Sequence, residues 1–122
     1  MIAVIFEVEP ADGREPDYLA HAADLRPILE EMPGFVSVER FRSLADPGKL
    51  LSLSFFEDEA AVAAWRRLPR HRTTQAAGRA GIFSDYRLRV AEVMRNYGLR
   101  ERGEAPADSR AAHGPSTASS TA

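Results

Sequence analysis

Three stretches of the chain have the residue types and spacing of β-strands. The first, residues 1–9 (MIAVIFEVE), carries apolar side chains on both faces. The others are residues 35–42 (FVSVERFR) and residues 50–56 (LLSLSFF). The turn-forming sequence Asp46-Pro47-Gly48 lies between them, so the pattern predicts a β-hairpin.

Helical spacing follows the first strand, from Glu15 to Met32. Pro16 suits the first turn, where its missing N–H costs nothing. Pro27 removes one backbone hydrogen bond, so we expect a kink or a tightened last turn, and Pro33-Gly34 ends the helix. The apolar stripe of this helix consists of Tyr18, Ala22, Leu25, Ile28, Leu29 and Met32.

A second helix is predicted after the third strand. The acidic residues 57–59 occupy its first turn, where the helix dipole favours negative charge. Its apolar stripe includes Trp65 and Leu68, and Pro69 breaks it. A second short helix to about Ala77 is expected after the break.

Residues 82–97 fit strand and helix spacing equally well. The elements before them follow the order β-α-β-β-α, and a final strand completes the ferredoxin-like order β-α-β-β-α-β. We therefore expect an α+β fold with an antiparallel sheet over residues 1–99. Residues 100–122 are predicted to be a flexible C-terminal tail, because the last 12 have no charged side chain.

Two helices cover one face of such a sheet, and the other face here is not fully polar. Its apolar side chains are expected to mix with Ser37 or Ser52 and with Glu39 and Arg89. The simplest cover is the sheet of a second copy, so the pattern predicts a homodimer.

Composition narrows the function classes. The chain has 122 residues and a net charge of −2, which argues against nucleic-acid binding. It has no apolar run of the ~20 residues that span a membrane. Zero cysteines exclude disulfides, thiolate metal sites and a cysteine nucleophile. We expect a small cytoplasmic domain.

Five segments together resemble the antibiotic biosynthesis monooxygenase family: MIAVIFEVEP, EEMPGF, VSVERF, DPGKLLSLSFF and DEAAVAAWRRLPRHRTTQAAGR. The resemblance extends over residues 1–95. It implies a dimeric α+β barrel and a small monooxygenase that oxidises an aromatic or polyketide-like metabolite without a tightly bound nucleotide cofactor. The alternatives are a haem-binding, haem-degrading monooxygenase and a non-catalytic dimer that binds a small apolar or aromatic molecule.

The resemblance also places a cavity between the second helix and the sheet. His71 follows the break at Pro69 and is the candidate catalytic base, with Gln75 four residues later on the same helical face. The alternative is that His71 only forms local hydrogen bonds at the helix break.

Four aromatic residues are candidate substrate contacts: Trp65, Phe6, Phe55 and Tyr86. Each has a structural alternative, since strand and helix aromatics most often pack in a core. In the haem-degrading relatives an Asn on the first strand, a Trp and a His line the haem. Trp65 and His71 of this chain correspond to the last two, with His71 then a ligand of the haem iron. Phe6 and Glu7 occupy the part of the first strand where the Asn is sought, and a carboxylate cannot donate the hydrogen bond of an amide.

The remaining polar candidates are interpreted as cross-strand ion pairs: Arg79, Arg87, Arg89, Glu7 and Glu39. No metal site is predicted, because the three histidines are scattered along the chain. No Gly-rich phosphate-binding motif occurs either.

Overall fold

The structure is a computed structural model, and it describes residues 1–69, 72, 76 and 81–113. The elements in chain order are β1 (Ile2–Pro10), α1 (Glu15–Glu30), β2 (Phe35–Arg42), β3 (Leu50–Phe56), α2 (Glu59–Arg67), β4 (Phe83–Glu92) and α3 (Ala107–His113). The four strands form an antiparallel sheet in the order β2-β3-β1-β4. The predicted ferredoxin-like order is confirmed, and the ambiguous last segment is a strand as far as Glu92.

The strand register assigns each side chain to one of two sheet faces. On β1, Val4, Phe6 and Val8 point towards α1 and α2, where Val8 packs against Tyr18. Phe6 lies opposite Ser52 of β3 and Leu88 of β4. We call this the helix face, and the opposite side, which carries Ala3, Ile5, Glu7, Leu53 and Phe55, the second face.

The register corrects one expectation from the sequence. Ser52 was expected on the second face, but it pairs with Phe6 and is therefore buried on the helix face, as is Ser54. The alternation on β3 begins with Leu50 towards the helices, so both serines take inward positions.

The last turn of helix α1 is tightened, which is one of the two outcomes expected from Pro27. The helix passes through Pro27 without a break, and its last turn tightens. The backbone N–H groups of Glu31 and Met32 donate to the carbonyls of Ile28 and Leu29, three residues earlier in each case, at 3.3 and 3.1 Å.

Helix α2 is capped by Asp58, whose carboxylate accepts from the backbone N–H of Ala61 at 2.8 Å. Its apolar side packs on the sheet in a core of Leu29, Val38, Phe56 and Ala61. The helix ends at Arg67, close to the predicted break. The short helix predicted after Pro69 falls mainly outside the described residues.

Gly34 lets α2 approach the start of β2 closely. It has a φ of +83°, and a Cβ there would lie 2.7 Å from the Cβ of Ala61. Its carbonyl accepts from the backbone N–H of Glu57 at 2.7 Å. Both the backbone conformation and the contact require glycine.

The chain divides into two compact units, the first ending at Glu92 and the second beginning at Val93. The boundary predicted from the sequence falls later, after Leu99. Within the second unit, α3 occupies part of the segment predicted to be a tail. The buried Arg102 donates to the Gly98 carbonyl at 3.2 Å and to Ser109 Oγ at 2.7 Å.

Candidate active site

A cavity of about 280 Å³ lies between α1, α2 and the helix face of the sheet. Side chains from both helices and all four strands line it, and most of them are apolar. The apolar aliphatic members are Val4, Ala22, Leu25, Leu29, Val38, Val62, Leu88 and Val90. Its volume lies just below the range for small-molecule sites, about 300–1,000 Å³.

Four aromatic rings form one end of this cavity. Phe6 contacts Phe83 and Tyr86 with ring centroids 5.7 Å apart in each pair. Tyr18 lies 5.6 Å from Phe83 and 6.4 Å from Phe6. The rings meet at tilted or edge-to-face angles, which are typical of a packed aromatic cluster.

Trp65 forms part of the wall contributed by α2. The Asp58 cap fixes the first turn of that helix, and its apolar stripe places Trp65 against the core around Phe56. Trp65 is half-buried and is the single tryptophan of the chain. Its fluorescence therefore reports directly on this cavity.

The polar groups of the cavity are few. Arg40 on β2 donates from Nε to the phenol oxygen of Tyr18 over a long 3.4 Å, and its guanidinium lies 6.0 Å from the centre of the same ring. The hydroxyls of Ser52 and Ser54 also line the cavity. An apolar cavity with a few fixed polar groups is typical of a binding site for a small organic molecule.

Sequence reasoning missed Tyr18, Arg40, Ser52 and Ser54 as site residues. A signal existed for the two serines. They are small polar residues at inward positions of β3, between the large residues Leu50 and Phe56, and small side chains at such positions leave space in a core. Arg40 carries a similar signal, because it follows Val38 by two residues on β2 and therefore lies on the same buried face of the sheet.

Three of the six predicted site residues line this cavity: Phe6, Trp65 and Tyr86. Phe55 does not. It pairs with Ala3, whereas the cavity-lining Ser54 pairs with Val4, so Phe55 points to the second face. The prediction that Phe55 forms a cavity wall is wrong, because adjacent strand residues face opposite sides. His71 and Gln75 lie outside the described residues, and their assigned roles remain predictions.

The second face carries charged groups instead. Glu7 lies between Lys49 Nζ at 3.2 Å and Arg89 Nη1 at 3.3 Å. The hydrogen bond from Lys49, with a smaller effect of Arg89, lowers the pKa of the Glu7 carboxyl despite some desolvation. Glu7 and Arg89 thus form one cross-strand ion pair of the kind expected for this group of residues, and Glu7 does not face the cavity. Arg79, another member of that group, lies outside the described residues.

No group of three histidine, aspartate or glutamate residues could hold a metal ion within the part of the chain that the structure describes. Over the same residues, every helix is too short or too polar to cross a membrane.

Comparison with known proteins identifies relatives of this chain. Residues 1–77 match the family model described as antibiotic biosynthesis monooxygenase. Jasmonate monooxygenase ABM of Pyricularia oryzae is 44% identical over 93 residues, which are 76% of this chain and 43% of the fungal protein. The chain thus spans less than half of that relative. The uncharacterised YqjZ of Bacillus subtilis is 30% identical over 76% of this chain and 79% of its own length.

Solved structures show the same fold at low identity. Rv0793 of Mycobacterium tuberculosis superimposes with a TM-score of 0.71 at 15% identity, over 80% of this chain and 98% of that one. SnoaB, a cofactor-independent oxygenase of Streptomyces nogalater, gives a TM-score of 0.67 at 14% identity, over 78% of this chain and 94% of that one.

Proposed function

Because the chain belongs to the antibiotic biosynthesis monooxygenase family, we propose that it is a small monooxygenase whose reaction occurs in the cavity between α1, α2 and the sheet. Its substrate is an aromatic or polyketide-like metabolite, and it uses no tightly bound nucleotide cofactor. The observation that carries the proposal is the aromatic end of the cavity, where Phe6, Phe83 and Tyr86 present apolar surface.

The cavity walls hold the substrate away from water. Phe6 and Tyr86 contact its aromatic rings on the strand side, and Trp65 contacts it from α2. In an apolar cavity an ionised oxygen or carbon of the substrate loses its hydration. Its charge is then stabilised by the few fixed dipoles present.

The reaction needs a base, and we assign that role to His71. The base removes a proton from an activated methylene between two aromatic rings, as in an anthrone. The resulting carbanion reduces O₂, one oxygen atom bonds to that carbon, and loss of water from the peroxide gives a carbonyl. The methylene is oxidised to the carbonyl, O₂ is fully reduced, and no further reductant is required.

The active form in this proposal is a homodimer whose second faces pack together. Ile5, Leu53 and Phe55 are half-buried there, and Phe41 is 43% exposed. Apolar side chains on the face of a sheet are commonly covered by another sheet. A cytoplasmic location remains a prediction that rests on composition alone.

A haem-dependent monooxygenase is the alternative. The described lining of the cavity contains no histidine, cysteine or methionine, which are the usual axial ligands of haem. In the haem-degrading relatives, an Asn side chain is expected at about this point of the first strand. Glu7 occupies it here, but its carboxylate lies on the second face and is paired with Lys49 and Arg89. The described residues therefore supply no axial ligand for haem, which would have to come from outside them, with His71 as the candidate. We expect titration with hemin to give no stoichiometric Soret shift, and a saturable shift at one haem per subunit would overturn this.

Oxygen uptake with anthrone tests the proposed reaction. We expect protein-dependent uptake and, under isotopically labelled O₂, one labelled oxygen atom in the anthraquinone product. Replacing His71 by Ala should lower the rate about 100- to 10,000-fold, the usual contribution of a general base. His21→Ala on α1 is the matched control and should retain full activity. If the wild-type protein binds anthrone without consuming O₂, it is the non-catalytic binding protein instead.

A further inference from the structure

We propose that the ligand of this cavity carries an oxyanion on an apolar body, and that Arg40 binds the oxyanion. The inference rests on the proposed function only for the location of the site, since it concerns binding and not turnover. It narrows the substrate class to apolar carboxylates and ionised phenols or enols.

The charges around the cavity carry the argument. The charged side chains that line it are three arginines, Arg26, Arg40 and Arg66, and its described lining includes no aspartate or glutamate. A cavity with one sign of charge and apolar walls concentrates ligands of the opposite sign.

The three arginines differ in exposure and in partner. Arg26 is exposed and donates to Glu30 at 2.9 Å, and Arg66 is exposed as well. Arg40 is only partly exposed and lines the cavity on β2, opposite Ser52 of β3. Arg40 is therefore the arginine best placed to meet a bound ligand.

Arg40 has no carboxylate within ion-pair distance among the described residues, whereas Arg42 and Arg14 each have one. On the same strand, Arg42 forms two hydrogen bonds of 2.9 Å with the carboxylate of Glu15 and a third with the Pro47 carbonyl at 2.6 Å. Arg14 is paired with Asp17. Partly buried charges are normally paired, and a guanidinium binds a carboxylate through two parallel hydrogen bonds. The Nη groups of Arg40 are suited to this role.

Tyr18 orients Arg40 and adds a donor. Its phenol oxygen accepts from Arg40 Nε, and the ring lies beside the guanidinium. No described residue accepts the phenol hydrogen of Tyr18, so this hydrogen is available to the same ligand oxygen. Tyr18 is thus a positioning residue for Arg40 as well as a ligand contact.

Calorimetric titration with three naphthalene compounds tests the proposal. 2-Naphthoate is the anionic probe, 2-naphthamide is its neutral counterpart of matched shape, and 2-naphthol becomes an anion only at alkaline pH. We expect 2-naphthoate to bind about 10- to 100-fold more tightly than 2-naphthamide, the range for a hydrogen bond to a charged group. Tight binding of 2-naphthol only at alkaline pH identifies a phenolate as an accepted oxyanion too.

Variants assign the preference to Arg40. Arg40→Gln should abolish the preference for 2-naphthoate, Arg40→Lys should retain part of it, and Tyr18→Phe should weaken it. Arg42→Gln is the matched control on the same strand and should retain it fully. Equal binding of 2-naphthoate and 2-naphthamide, a preference that survives in a folded Arg40→Gln variant, or no binding of either compound would overturn the proposal. Because no turnover is measured, these results are independent of the oxygen-uptake assay.

Discussion

Both faces of the sheet carry apolar side chains, but the two faces differ in architecture. On the helix face, β3 presents Ser52 and Ser54 between two large buried residues, and a cavity remains beneath α1 and α2. On the second face, β3 presents Leu51, Leu53 and Phe55 without such small residues. The charged groups differ as well, since Arg40 faces the cavity whereas Glu7 is paired with Lys49 and Arg89.

This difference suggests a division of tasks. The helix face combines space, aromatic walls and a cation, which together suit a ligand. The second face combines apolar side chains, such as Leu51, Leu53 and Phe55, with the ion pairs of Glu7, which suits another protein surface. Adjacent residues on one strand therefore serve different purposes.

Phe56 and Phe55 give the sharpest test of that division. Phe56 is 1% exposed in the core under α2, so Phe56→Ala should cost about 3–5 kcal/mol of unfolding free energy. Phe55→Ala should cost the subunit only about 1–2 kcal/mol, since its side chain is half-buried. Chemical denaturation measures both losses of unfolding free energy.

Analytical ultracentrifugation should show weakened dimerisation for Phe55→Ala. A wild-type protein that stays monomeric at micromolar concentration would contradict the role of the second face.

A substitution at Gly34 tests how closely helix α2 packs against the start of β2. Gly34→Ala places a Cβ against Ala61 and imposes an unfavourable positive φ, so we expect a loss of about 2–4 kcal/mol. Gly13→Ala is the matched control. Its φ is also positive, at +74°, but nothing lies within 4 Å of the added Cβ, and the expected loss is about 1–2 kcal/mol. Equal losses for the two variants would show that the contact with α2 is not tight.

The ion pairs of Glu7 predict a smaller effect that depends on pH. Lys49 and Arg89 lower the pKa of Glu7 in the folded chain below its ordinary value of 4.5. The unfolded chain therefore binds the proton more readily, so the stabilisation is present above about that pH and is lost as pH falls below it. Glu7→Gln should flatten the decline of Tm with acidification below pH 4.5 and leave the cavity's ligand preference unchanged. If Tm of the variant declines with acidification as steeply as that of the wild type, the ion pairs of Glu7 do not contribute to stability.

Most of the fold could be predicted from the sequence because its local signals agree. The β2 and β3 boundaries match the alternation of FVSVERFR and LLSLSFF, and the Pro27 turn forms as expected. The family resemblance is confirmed by the family model over residues 1–77. The β4 strand could not be decided from spacing, because residues 82–97 fit both periods and pairing with β1 decides between them.

The site was harder to predict than the fold. Phe6, Trp65 and Tyr86 line the cavity as expected, because large apolar side chains at inward positions of a strand or helix are conspicuous in a sequence, whereas their contact with a substrate stays a prediction. Phe55 was misplaced because a single-residue change of register moves a strand side chain to the opposite face. Arg40 and Tyr18 were missed because their relation joins residues 22 positions apart, and only the packing of α1 over β2 creates it.

NMR mapping with 2-naphthoate tests most directly the claim that the helix face holds the ligand. Backbone amide shifts should change at residues of the cavity, above all Tyr18, Arg40, Ser52 and Ser54. Residues of the second face, such as Glu7, Leu53 and Phe55, should change far less. Larger shifts on the second face, or shifts of equal size on both faces, would contradict the assignment of the site to the cavity between α1, α2 and the sheet.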